Sequence, residues 1–150
     1  MNERELTGFC GLYCGDCIRY NWRASELADE LLGEIEKKHF EEYAKVKRVH
    51  KKEFENFDSF VDFLRALSEI NCEKPCGAGG DGCGGSCQII ACVRGRDLKG
   101  CWECPENEQC KKLDFLIPFH GDAARWNLTK IREHGIGNWP KYRAKCYPWL

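Results

Sequence analysis

"CGLYCGDC", residues 10–17, places Cys10, Cys14 and Cys17 in a C-x3-C-x2-C array, with glycine directly after the first two. The chain carries twelve cysteines in 150 residues, and its fold turns on whether these thiols pair, react or hold metal. The first residues, "MNERELTGF", mix charges and lack an apolar run of secretory length. No stretch reaches the ~20 apolar residues of a membrane span. The expected compartment is therefore the cytoplasm, where thiols stay reduced, and there the cysteines read as metal ligands ahead of a disulfide framework.

Spacing carries the next step. After the first array come Cys72-x3-Cys76, Cys83-x3-Cys87, Cys92, the close pair Cys101 and Cys104, then Cys110 and a distant Cys146. Loops of two or three residues let two thiolates reach one ion, and zinc takes four ligands in a tetrahedron. All twelve cysteines are candidate ligands. One partition joins Cys92, Cys101, Cys104 and Cys110, and a second joins Cys72, Cys76, Cys83 and Cys87. The N-terminal trio then needs a distant fourth ligand, for which Cys146 is the candidate; interleaved sets are also allowed. Two or three zinc ions are expected. Iron–sulfur clusters also use sets of four cysteines, and Cys104 followed by Pro105 echoes a ferredoxin ending, so a [4Fe–4S] cluster is the alternative.

Around the cysteines, residues 18–70 read as helical. Leu27, Leu31 and Ile35 recur at helical spacing behind Ser25 as an N-cap. A further helix is expected from Asp58 to Ile70, with Asp58 capping and Phe60, Phe63, Leu64 and Leu67 as a core stripe. Residues 71–110 hold eight cysteines, and six glycines crowd between Gly77 and Gly85; the expectation is an irregular segment stapled by metal. "GAGGDG", residues 77–82, formally matches a dinucleotide-binding pattern, but no apolar strand precedes it and no helix follows. Residues 111–150 bring a helix with Leu128 and Ile131 on one face, ended by His134 and a Gly135 C-cap, and an aromatic tail.

Several function classes recede. Basic and acidic residues number 23 and 24, a net charge of −1, which argues against a nucleic-acid binder held by phosphates. The basic stretch Lys45–Lys52 lacks interleaved aromatics and reads as a solvated helix end. His39, His50, His120 and His134 are scattered, none adjacent in sequence to a cysteine, and read as surface or cap residues. No acid–base constellation points to an enzyme. Radical chemistry with a C-x3-C-x2-C cluster needs a repeated βα barrel that this sequence lacks. "CGDC" lacks the strand-to-helix context of a thioredoxin pair.

"CGLYCGDC", "FDSFVDFLRAL", "CGGSCQIIACVRGRDLKGCWECPENEQCKKL" and "NLTKIREHGIGNW" together resemble the domain of unknown function 3795 family, cysteine-rich proteins of bacteria and archaea. The resemblance places Cys10, Cys14, Cys17, Cys83, Cys87, Cys92, Cys101, Cys104 and Cys110 at motif positions; Cys72 and Cys76 are spaced more widely than the family's pair. It implies zinc binding and no established reaction. The expectation is thus a single, mainly α domain over 1–150. It comprises an N-terminal cysteine motif (1–17), a helical part (18–70), a metal-binding segment (71–110) and a C-terminal helix with its tail (111–150). Its expected role is a non-enzymatic, zinc-stapled interaction module with a protein partner and no membrane contact. The alternative is an iron–sulfur protein of electron transfer or redox sensing.

Overall fold

The computed structural model describes residues 1–83 and 85–147. The chain, expected as one domain, groups into two compact units. One joins residues 1–21 to 72–150, and the other is the intervening stretch, residues 22–71. Among the described residues all regular elements are helices, and the extended backbone amounts to an isolated antiparallel bridge between Thr7 and Tyr13.

In the intervening unit, α2 (Ala24–Lys37) lies against α4 (Phe57–Ser68), with α3 (Phe40–Lys47) and a 3-10 turn at Lys52–Asn56 between them. Its small core holds Ala28, Ala44, Phe57 and Leu64. The Phe40 ring stands 5.2 Å from Tyr43 and 5.8 Å from Phe57. The chain reverses between α2 and α3 at His39, whose φ is 50°.

Both expected caps move. Arg23 occupies the N-cap of α2 and Ser25 is buried inside its first turn. Asn56 precedes α4, leaving Asp58 in the first turn. There it favours the helix dipole and accepts from Arg48 at 3.4 Å. The expected stripe on α4 is only partly core. Phe57 and Leu64, two turns apart, are buried, while Phe60 and Phe63 are 45% and 62% exposed. Leu27 and Leu31 on α2 are exposed as well. The apolar faces of these helices are broader than the surface each covers on the other. The basic stretch finds partners within its own unit: Lys45 pairs with Glu42, and the Lys47 ammonium lies 5.4 Å from the centre of the Tyr43 ring.

The other unit is built around α5 (Gln88–Gly95) and α7 (Ala123–His134), with the short helices α1 (Ile18–Asn21) and α6 (Ile117–His120). Residues 71–110 are therefore not irregular throughout. The run Ile89, Ile90 and Val93 drives α5 into the core beside Leu113, Leu116, Leu128 and Ile131. Burying each such side chain favours folding by about 1.5–3 kcal/mol. Trp139 is fully buried. Its Nε1–H donates to Thr7 Oγ1 at 3.0 Å, and its ring meets Tyr13 edge-on at 5.9 Å. This bond ties the start of the chain to the segment after α7 and satisfies an indole that burial would otherwise leave unpaired. α7 ends as expected at Gly135, whose φ is 74° and whose N–H donates to the Ile131 carbonyl at 2.9 Å. Asp122 stands at its N-cap position without a side-chain cap bond. The aromatic tail packs back through Trp139 and Tyr142, the latter stacked on His134 at 3.7 Å. Trp149, in the last part of that expected tail, lies outside the described residues.

Gly33 sits inside α2, and a Cβ built there meets nothing within 4 Å. Gly33→Ala therefore removes backbone entropy from the unfolded chain at no steric cost. It should raise stability by about 0.5–1 kcal/mol in denaturant unfolding.

Candidate metal centre

The structure gathers the thiols into two neighbourhoods of the discontinuous unit. The simpler one is formed by α5, a 3-10 turn at Cys101–Glu103 and a second at Asn107–Gln109. Cys92, Cys101, Cys104 and Cys110 line a cavity of about 60 Å³, together with Arg96 and Asn107. The turns are closed by N–H bonds from Cys104 to the Cys101 carbonyl and from Cys110 to the Asn107 carbonyl. Buried Asn107 donates to the Cys101 carbonyl at 2.8 Å. The Arg96 guanidinium donates to Cys104 Sγ at 3.3 Å and pairs with Glu106 at 3.2 Å. Desolvation pushes the Cys101 thiol up from its ordinary 9.0 to about 12, and repulsion from Cys110, Cys104 and Cys92 adds to it. These are the four cysteines that spacing had joined.

In the second neighbourhood the two remaining sets mix. Cys72, Cys76 and Cys83 do not form a set apart from the N-terminal trio; the two sets interleave. A Cβ built on Gly8 would lie 3.6 Å from Cys10 Sγ and 3.7 Å from Cys76 Sγ. Cys14 and Cys17 share one 3-10 turn, and the Cys72 N–H donates to the Arg19 carbonyl at 2.9 Å, just beyond Cys17. Desolvation raises Cys83 to about 11, followed by repulsion from Cys17, Cys72 and Cys76. It also raises Cys10 and Cys14, each then repelled by Cys76 and Cys83.

Backbone amides offset part of this cost. The Phe9 N–H donates to Cys76 Sγ at 3.3 Å, and the Gly77 N–H also favours the Cys76 thiolate. The Leu12 and Lys74 N–H groups do the same for Cys10 and Cys72, each two residues beyond its sulfur. Amides aimed at sulfur favour the thiolate that a metal requires. Glycine serves the turn in a way the sequence suggested only in outline. A Cβ at Gly77 would stand 2.2 Å from the Thr7 carbonyl oxygen, so this residue admits the N-terminal strand of chain against the Cys76 turn.

Two cysteines are placed apart. Cys87, the N-cap residue of α5, contributes repulsion to both Cys76 and Cys101. Cys146 has Cys17 nearby, but its Sγ stands 3.8 Å from His120 Nδ1. Burial lowers the His120 pKa. His120, read from the sequence as a surface residue, thus has a thiol neighbour; 26 residues separate the two, and no motif signals the pairing. Among the described residues, no three His, Cys, Asp or Glu side chains form a ready-made metal site.

The model of the family described as protein of unknown function DUF3795 matches residues 6–115. The chain belongs to that family. The match spans the N-terminal array and every cysteine through Cys110, leaving Cys146 and His120 outside it. No curated protein and no solved structure matches the chain. Among the described residues, no helix is long and apolar enough to cross a membrane.

The raised thiols set a pH dependence for protein kept reduced and free of divalent metal by chelator. A thiol whose folded pKa exceeds its unfolded value holds its proton longer in the native state. Its contribution is complete below the unfolded pKa and is lost as pH rises through the folded one. The denaturation midpoint should therefore fall between pH 9.0 and about 12, the window of Cys83 and Cys101. Cys101→Ser should flatten the upper part of that fall, and an identical curve would show that Cys101 is not desolvated.

Proposed function

We propose that this protein is a non-enzymatic metal-binding module whose thiolates hold structural zinc. The cavity of about 60 Å³ lined by Cys92, Cys101, Cys104 and Cys110 carries the reading. Four thiol-bearing residues border that space. Four thiolates also complete a closed tetrahedral zinc site, with no open position for substrate. Arg96 against Cys104 would compensate the excess negative charge of such a site, and Asn107 would fix the turn that carries Cys101. Metal binding would release the thiol protons and couple its free energy to folding of the turns. The intervening helical unit supports an interaction role with protein. Leu31, Ile35, Phe54, Phe57 and Phe60 line an apolar groove of about 670 Å³ there, bordered by Glu34, Lys38 and Glu53.

The second reading, an iron–sulfur protein, draws on the amides directed at Cys10, Cys72 and Cys76, since such bonds also tune cluster potentials. Elemental analysis and an absorption spectrum of anaerobically purified protein separate the two. Zinc without a visible band supports the first reading. Iron with sulfide and a broad band near roughly 400 nm supports the second. Cys101→Ser replaces a soft thiolate by a hard hydroxyl and should remove about one zinc per chain and lower the melting temperature. An unchanged zinc content would remove Cys101 from the ligand set. Chelation should open residues 71–110 to protease before α2 and α4 are cut; continued protection of that segment without metal would end the structural-zinc reading.

A further inference from the structure

We infer that residues 22–71 pair with the same unit of a second copy of the chain, the open apolar face between α2 and α4 of each copy lying on that of the other about a two-fold axis. The inference rests on the interaction role proposed above, names its partner, and stands apart from the zinc reading. The unit has a small core and no staple of its own. Its buried apolar residues are Ala28, Ala44, Phe57 and Leu64, two of them alanines. A core in so short a stretch supplies little net stability, and small modules make up the deficit with disulfides, a metal or association. All twelve cysteines lie outside residues 22–71, so neither a disulfide nor a thiolate site can staple this unit. Association is the device that remains.

The uncovered surface suits it. Leu27 and Leu31 stand one turn apart on α2, Phe60 and Phe63 one turn apart on α4, and all four are exposed. Leu31 and Phe60 also line the groove of about 670 Å³. The face therefore offers a hollow and, in the 62% exposed Phe63, a projecting ring. A two-fold axis brings the ring of each copy to the hollow of the other, so one type of contact covers both. Four helices then enclose one apolar core, as in helix bundles. The border charges select a second copy over an unrelated partner. Glu34 is already paired with Lys37 at 3.3 Å within α2. Lys38 and Glu53 border the same groove with no ion pair among the described residues. They are opposite in sign, so the rim is its own complement: an axis through the groove sets Lys38 of each copy toward Glu53 of the other, twice over. A second copy is also present whenever the chain is, as a permanent deficit in burial requires.

Sedimentation of the reduced, unaltered chain across the micromolar range should give twice the chain mass. Phe63→Lys changes an exposed residue and should raise the dimer dissociation constant by at least about 30-fold with helical circular dichroism retained. Lys38→Glu and Glu53→Lys should each weaken association by roughly tenfold, because each homodimer then opposes like charges twice. An equimolar mixture of these two variants should associate as tightly as the unaltered chain, since both rim contacts of the mixed dimer again join opposite charges. A folding defect in either variant would not be repaired by mixing, so this arm decides the matter even if Phe63→Lys unfolds the unit. A mass of one chain at every concentration overturns the inference, whether or not an unrelated protein takes up the face. So does a dimer indifferent to Phe63→Lys, or a mixture no tighter than its components. Zinc measured on the same samples reports separately on the metal site: monomeric protein that holds zinc ends the pairing alone, and dimeric protein purified without zinc or iron supports the pairing while ending the metal reading.

Discussion

Phe9 holds the cysteine-rich unit together through its backbone. Its N–H donates to Cys76 Sγ at 3.3 Å, and its carbonyl accepts the Cys101 N–H at 2.8 Å. Its side chain is buried among Ile89, Val93 and Leu128. One residue therefore joins the six-thiol neighbourhood, the four-thiol cavity and the apolar core. Arg4 reinforces the junction. Its guanidinium donates to the Lys99 carbonyl at 2.7 Å and lies 5.1 Å from the Trp102 ring centre.

That frame creates an electrostatic problem. Thiols brought together out of water resist ionisation, first through desolvation and then through repulsion between sulfurs. Amides and the flanking Arg19 and Arg96 reduce the cost without removing it. Divalent ions would reverse the sign of the interaction, which is why the reading favours metal over a set of free thiols.

The helical unit enters the chain between Cys17 and Cys72 without separating them in space. The Cys72 N–H on the Arg19 carbonyl brings the two ends of the insertion together. An insertion with adjacent ends adds a module while leaving the host core intact. Phe60 and Phe63 on α4 stay exposed, since a pair of helices this small leaves part of each apolar face uncovered.

The helices of this protein were legible because local rules govern them. The 3.6-residue period marked α2, α4 and α7, and Gly135 marked the end of α7. The short spacing of Cys101, Cys104 and Cys110 keeps them on neighbouring turns that line one cavity with Cys92. Three features lay beyond local rules. α5 was hidden in a cysteine- and glycine-rich segment, where its brief apolar run becomes helical only by burial against Leu113 and Leu128. Ser25 and Asp58 have cap chemistry, yet their helices are capped two residues earlier, at Arg23 and Asn56. The interleaving of Cys10, Cys14 and Cys17 with Cys72, Cys76 and Cys83, and the approach of His120 to Cys146, depend on chain ends meeting across large sequence separations. Residue spacing determined which thiols are close along the chain; the buried Trp139–Thr7 and Phe9 contacts decided which are close in space.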